Sequence, residues 1–209
     1  PDGARLVFVG QKSGGIPQLY IRSLEQLQAA PRAGTEGGFS PFFSPDGQWI
    51  AFFANGKLKK ISVTGGAAVT LCDAPNGRGG SWAEDGTIVF TPNTIASGVS
   101  LSHVSSAGGK PEALTTLGEG EITQRWPQVL PGGQAVLYTA HNRGSQWDDA
   151  NLVMQPLPKG ARKIVVRGGF HGRYVSSGHL VYIRERTLFA ARSAVSFSAG
   201  ALTIPCRVT

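Results

Sequence analysis

Residues Phe39 to Phe53 read FSPFFSPDGQWIAFF, two short apolar stretches on either side of Ser44-Pro45-Asp46-Gly47. An Asp-Gly pair bounded by short alternating apolar runs predicts two strands joined by a tight turn. Weaker copies follow at Asp85-Gly86, Gly132-Gly133 and Ser177-Gly178, and the chain opens on Pro1-Asp2-Gly3 ahead of ARLVFVG. Between Gly3, Gly47, Gly86, Gly133 and Gly178 the steps are 44, 39, 47 and 45 residues. The unit around Asp46-Gly47 predicts four strands, over Pro41–Phe43, Trp49–Phe53, Leu58–Val63 and Ala68–Cys72. Asn55-Gly56 and Gly65-Gly66 supply its remaining turns. Similar runs appear at 80–83, 87–91, 99–105 and 112–115, at 126–130, 135–140, 152–156 and 163–166, and at 173–175, 180–184 and 187–191. Two more strands at 4–10 and 18–24 precede them, with a short strand or loop near 28–32. No stretch sustains a 3.6-residue period, and Ser23–Ala30 is the one weak helical candidate.

A period near 40 to 45 residues with four strands per unit is that of β-propeller blades, so the expected fold is all-β: about five blade units, the first and last incomplete. The units fall at approximately 1–37, 38–76, 77–122, 123–170 and 171–209 of a single domain. A blade cannot bury both faces of its sheet alone, so neighbours must stack. Glycine, 29 of 209 residues, supplies the positive-φ positions that many tight turns need. A hydrophobic share of 41% with only 16% charged residues excludes a disordered chain. No signal-peptide pattern or 18-residue apolar span occurs, so no membrane segment is expected in this chain.

The quoted segments FSPDGQWIAF and LKKISVTGGAAVTL resemble the WD40-like, TolB-type (PD40) propeller repeat. NGRGGSWAEDGTIVF, ITQRWPQVLPGGQAVLYTAH, DDANLVMQPL and GRYVSSGHLVYIRERTLFA are similar to propellers on the C-terminal side of bacterial Ser/Thr protein kinases, and the resemblance implies a truncated one. The resemblance covers roughly residues 1–191, and no kinase catalytic motif lies in the chain. Departures are Ala83-Glu84, Leu130 and Gly132 where the repeat has Ser-Pro and Asp, and Ser102-His103 where an aromatic-arginine pair is common. The tail AARSAVSFSAGALTIPCRVT leaves the pattern. The resemblance implies a binding or sensor propeller without kinase activity. An incomplete first blade leaves strand edges open. Closure is expected by homodimerisation or strand exchange, the other arrangement being a self-contained ring in which the tail supplies the strand missing before Pro1.

In this layout the residues before each inner strand and those in each second-to-third-strand loop share one mouth of the central channel. That groups Asn76, Arg78, Gln124, Arg125, His171 and Arg173, with the loop from His141 and Asn142 through Arg143 to Asp148 and Asp149 beside them. Arg78, Arg125 and Arg173 offer rigid donor forks suited to an anion. The alternative is that they satisfy loop backbone. Trp82, Trp126 and Tyr174 read as packing between blades. Trp147, an indole in a polar loop, reads equally as a ligand or partner contact and as local packing. His141, His171, Asp148 and Asp149, with His103 and His179 further off, are the candidate ligands for a divalent metal (zinc, manganese or calcium). Such an ion would acidify bound water for attack on activated phosphate or carboxylic esters, although no fixed ligand spacing supports it. No serine lies in GxSxG and no glycine run has phosphate-loop spacing.

The net charge is +7 from 20 basic and 13 acidic side chains, spread without a dense run. It favours anionic partners such as a small anionic ligand or a protein, while no recognised nucleic-acid module is present. Cys72 and Cys206 belong to no CxxC and read as structural thiols rather than a bridge.

Overall fold

The computed structural model describes residues 3–94, 98–142 and 147–192, and the backbone of 196–198 and 201–203. Five antiparallel sheets succeed one another along the chain, each a blade of a β-propeller. Blade 1 holds β1 (Arg5–Gly10), β2 (Gln18–Ser23) and β3 (Ala30–Pro31). Blade 2 holds β4 (Phe39–Phe43), β5 (Trp49–Ala54), β6 (Lys57–Ser62) and β7 (Val69–Asp73). Blade 3 holds β8 (Gly80–Trp82), β9 (Thr87–Phe90), β10 (Ser102–Ser105) and β11 (Glu112–Ala113). Blade 4 holds β12 (Thr123–Val129), β13 (Ala135–His141), β14 (Asn151–Pro156) and β15 (Lys163–Arg167). Blade 5 holds β16 (Phe170–Val175), β17 (His179–Arg184) and β18 (Thr187–Arg192). By register, blade 1 corresponds to the second, third and fourth strands of a complete blade, and blade 5 to the first three.

The expected strands are all present, mostly to within a residue or two at each end. Two expectations are corrected. Residues 24–29 form turns and not a helix, because Leu24 and Leu27 find no face to bury and stay exposed. The only helical element among the described residues is the 3-10 turn Trp147–Asp149. Among the described residues the tail does not pair with blade 1. Its strands β19 (Ser196–Ser198) and β20 (Ala201–Thr203) pair with each other as a separate hairpin.

The turn chemistry explains the repeat. In blade 2 the Ser44 hydroxyl donates to Asp46 Oδ1 at 2.5 Å, and the same oxygen accepts from the Gln48 amide at 3.0 Å. These two bonds hold the exposed Asp46 carboxyl below its usual pKa. Gly47 sits at φ 68°, which only glycine adopts freely. In blade 3 the Asp85 carboxylate caps Thr87 in the same way at 2.8 Å, although alanine replaces the serine.

Packing follows from strand alternation. Residues i and i+2 of each second strand face the preceding blade, and the residue between them faces the next. Ile50, Phe52 and Ala54 therefore pack against blade 1, whereas Ala51 and Phe53 join Ile88 and Phe90 of blade 3. Val136 and Tyr138 pack on Val89 and Leu101 of blade 3, and Leu137 joins Leu180 and Tyr182 of blade 5. Four buried clusters result, one at each blade-to-blade junction. Cys72 lies in the second of these, where burial pushes its thiol up to about 11, so it is an inert core residue. Cys206 lies outside the described residues.

Candidate functional site at the channel mouth

The inner strands of blades 2, 4 and 5 each carry one left-handed residue where their pairing with the second strand slips, and blade 3 has one just before its inner strand. Ser40 (φ 48°), Trp126 (φ 52°) and His171 (φ 54°) occupy this position in blades 2, 4 and 5, and Gly79 (φ 82°) takes it in blade 3. Such bulges re-aim the side chains around them. The residue just before the bulge is Phe39, Arg78, Arg125 or Phe170, and these four side chains set the character of the mouth. In blade 2, Phe39 stacks on Phe53, its cross-strand partner, at 5.7 Å. In blade 4 the corresponding pair is Arg125 and Thr139.

The arginines are held by backbone and aromatic contacts. The carbonyl of Arg78 accepts from the Trp126 amide at 3.1 Å, and the Arg78 guanidinium lies 5.5 Å from the Phe39 ring centroid. Arg125 sits 4.7 Å over the Trp147 ring and donates through Nε to the Thr123 hydroxyl at 3.2 Å. Arg173 donates through Nη1 to the Trp126 carbonyl at 2.9 Å. Burial, followed by the charge of Arg78, lowers the pKa of Arg125, and burial takes Arg173 down to about 10. Both stay protonated at neutral pH. Among the described residues no carboxylate pairs with any of the three. A cation partly removed from water without a counter-charge is costly, and a bound anion would offset that cost.

Trp147 is placed by the 3-10 turn against four neighbours. It lies 4.8 Å from both Trp126 and His141 and 6.0 Å from Phe170, besides carrying Arg125. The indole therefore joins blades 4 and 5 and gives Arg125 a rigid face. His171 packs 5.1 Å from Trp126, and its amide donates to the Thr139 hydroxyl at 3.0 Å. Burial, then the charge of Arg173, lowers the His171 pKa to about 4, so the ring is neutral at physiological pH. Asp148 Oδ1 accepts from the Glu185 amide at 2.7 Å, tying the turn to blade 5, and Asp149 is exposed. Among the described residues no three His, Cys, Asp or Glu side chains gather as metal ligands would. His103 lies 3.9 Å from Glu112 on blade 3, and His179 contacts Ser177 at the turn end of blade 5. Arg143 lies outside the described residues.

Gln124 is fully buried and spent on the fold. Its Oε1 accepts from the Thr115 hydroxyl at 2.5 Å, and its amide donates to the Thr116 carbonyl and to Glu121. Asn76 is half-buried, its carbonyl accepting from the Thr94 hydroxyl at 3.2 Å. The sequence reading did not single out Phe170 or the polar group formed by Glu121, Gln124 and Arg162.

No family model matches the sequence, and no curated protein sequence matches it. Solved structures do match. TolB from Acinetobacter baumannii superposes with a TM-score of 0.69 over 90% of this chain and 49% of its own, at 15% identity. A TolB from Agrobacterium tumefaciens gives 0.58 over 84% and 68%, also at 15% identity. The fold is a TolB-like β-propeller. An oligogalacturonate lyase from Vibrio parahaemolyticus gives 0.60 over 87% of this chain and 55% of its own, at 16% identity. The chain thus spans about half the length of the first and third of these proteins. Sequence identities this low carry the architecture and nothing about the site.

Proposed function

We propose that the chain is a binding propeller whose channel mouth takes an anionic group, from a small carboxylate or phosphate ligand or from an acidic segment of a partner protein. The observation that supports this most is the set of three guanidiniums, on consecutive blades, with no carboxylate partner among the described residues. Trp147 gives the half-buried Arg125 an apolar face that pre-orients its fork, and Phe39 does the same for Arg78, which is exposed to solvent. A lyase acting on oligogalacturonate, itself a carboxylate-bearing chain, shares the architecture and is consistent with such chemistry. Calorimetric titration with citrate at low salt tests the reading. Saturable one-to-one binding is expected, weakened about tenfold or more in Arg78→Gln/Arg125→Gln, since each charge-assisted bond contributes about 1.5–3 kcal/mol. Absence of saturable binding, or equal affinity in the double variant, removes it.

A partner reading rests on the terminal blades. Ile50 and Phe52 are fully buried because blade 1 covers them, whereas their counterparts Leu6 and Phe8 in blade 1 are 47% and 43% exposed. Leu188 and Phe189 stand exposed on blade 5. Inner strands pack in succession from β4 to β16, and among the described residues no comparable packing joins β16 back to β1. These faces suit blade-on-blade pairing with a second copy of the chain. Light scattering is expected to show a dimer that Leu6→Glu/Phe8→Glu converts to monomer. A monomeric wild type at micromolar concentration would contradict it.

A further inference from the structure

Blade 4 carries a second polar recess, away from the channel axis, that the mouth does not account for. A cavity of about 640 Å3 lies between the 118–121 loop and the outer strand β15, within the range of small-molecule sites. Its lining includes Arg162, Lys163, Arg167, Asn142, Asn151 and Glu119. Glu121 also reaches it, but that carboxylate is consumed. It binds the Arg162 guanidinium, the Gly118 amide at 2.9 Å and the Gln124 side chain at 3.1 Å. Its side chain is only 5% exposed and its pKa is lowered, despite burial, by these bonds. Arg162 Nη1 remains buried with no hydrogen-bond acceptor. Of the cations in the lining, Arg167 has no carboxylate partner among the described residues, and Arg162, Lys163 and Arg167 outnumber Glu119 and Glu121.

Blade 2 gives an internal control, because its outer strand has the same irregularity. In β7 the extra residue is Leu71 and the strand ends with Asp73 opposite Lys57. In β15 the extra residue is Val165 and the strand ends with Arg167 opposite Asn151. The bulge leaves Val165 and Val166 against the blade 5 side and Ile164 against the blade 3 side, with Arg167 brought to the same cavity as Ile164. In blade 2 the corresponding pair is a closed ion pair between Lys57 and Asp73. In blade 4 the carboxylate is replaced by a guanidinium that has no carboxylate partner among the described residues, and the lysine by an amide. A self-neutralised strand end has thus become a cation beside two amides that each donate and accept.

We propose that this recess binds a small hydroxylated anion, a sugar acid or a sugar phosphate, with Arg167 and Lys163 taking the acidic group and Asn142 and Asn151 the hydroxyls. The recess is independent of the channel mouth, and the test separates the two. Calorimetric titrations with glucuronate, glucose 6-phosphate and glucose are run on Arg78→Gln/Arg125→Gln, in which mouth binding is weakened, and on the same protein carrying Lys163→Gln/Arg167→Gln. At least one acidic sugar is expected to bind saturably while glucose binds at least about tenfold more weakly, the worth of one charge-assisted bond. The added pair of changes is expected to abolish that binding without altering the melting temperature. Glucuronate alone identifies a carboxylate site and glucose 6-phosphate alone a phosphate site. Failure of both acidic sugars, equal binding of glucose, or binding that survives Lys163→Gln/Arg167→Gln overturns the proposal. Loss of citrate binding at the mouth leaves it untouched.

Discussion

Blades 2 and 4 share strand count, order and the same two bulges, yet they differ wherever the sheet meets solvent on the mouth face. Blade 2 is closed on itself. Phe39 stacks on Phe53 beside the channel and Lys57 meets Asp73 at the outer edge. Blade 4 places Arg125 against Thr139 and Asn151 against Arg167 at the same positions. Its second strand is as dry as that of blade 2, with Val136, Leu137 and Tyr138 at 0–1% exposure, so the polar substitutions cost the core nothing. A repeat scaffold can therefore keep its interior and vary chemistry blade by blade at a few register positions, as expected where each blade contacts only its neighbours.

The sharpest break of this comparison is in the core beside the mouth. Phe53→Ala is expected to lower stability by about 3–5 kcal/mol, because Phe53 holds Phe39, Phe42 and Phe90 around it. Thr139→Val, at the matching site of blade 4, leaves the His171 amide without its acceptor and is expected to cost roughly 1–3 kcal/mol. Denaturant unfolding measures both, and equal losses would mean that the two positions are not doing different jobs.

The ion pairs give the next largest contrast. Glu121→Ala strands Arg162 and orphans the Gly118 and Gln124 donors, for an expected loss of roughly 2–3 kcal/mol after allowing for the part-exposed guanidinium. Asp73→Ala breaks a pair in open solvent and is expected to change stability by about 0–1 kcal/mol. The ordering of these two variants, read in one buffer, is the discriminating result.

The pH dependence separates blade 4 and 5 groups in two windows. His171 is buried neutral with its pKa lowered from 6.5 to about 4, so between those values the unfolded chain binds the extra proton. Stability from this group is full above pH 6.5 and falls as pH drops toward 4. Glu121, whose pKa is lowered from 4.5, contributes fully above that value, and its contribution is lost only as pH falls through its lower folded pKa. His171→Asn is expected to flatten the slope of stability between pH 6.5 and 5 while leaving the steeper loss below 4.5. An unchanged slope above pH 5 would show that the ring is not buried neutral.

The blades were legible because one turn recurs. Asp46-Gly47 and Asp85-Gly86 fix both the hairpin and the phase of the strands, so the strands of the five blades followed from the spacing, whereas the tail hairpin of β19 and β20 did not. Arg78, Arg125 and Arg173 were grouped for the same reason, by their places relative to the turns, and the binding role proposed for them is tested by the citrate titrations. Trp147 was not, because a ten-residue loop has no repeat phase to fix where its indole goes. The Glu121, Gln124 and Arg162 group was hidden too, its members falling at unrelated points of their repeats. Gln124 was assigned to the mouth by phase alone, whereas Glu121 and Thr115 draw its side chain into the junction of blades 3 and 4.

A small expected effect on stability carries the most information about function: Arg125→Gln should change unfolding by no more than about 1 kcal/mol, because losing the Trp147 contact and relieving a part-buried unpaired cation oppose each other, while weakening anion binding. The direct measurement is an NMR titration of the wild-type protein with citrate, following the arginine Nε–Hε resonances. Arg78 and Arg125 are predicted to shift together and saturate on one binding curve while the solvent-facing Arg186 stays still. Shifts that are linear and shared by all exposed arginines, or confined to those outside the mouth, would contradict a built anion site there.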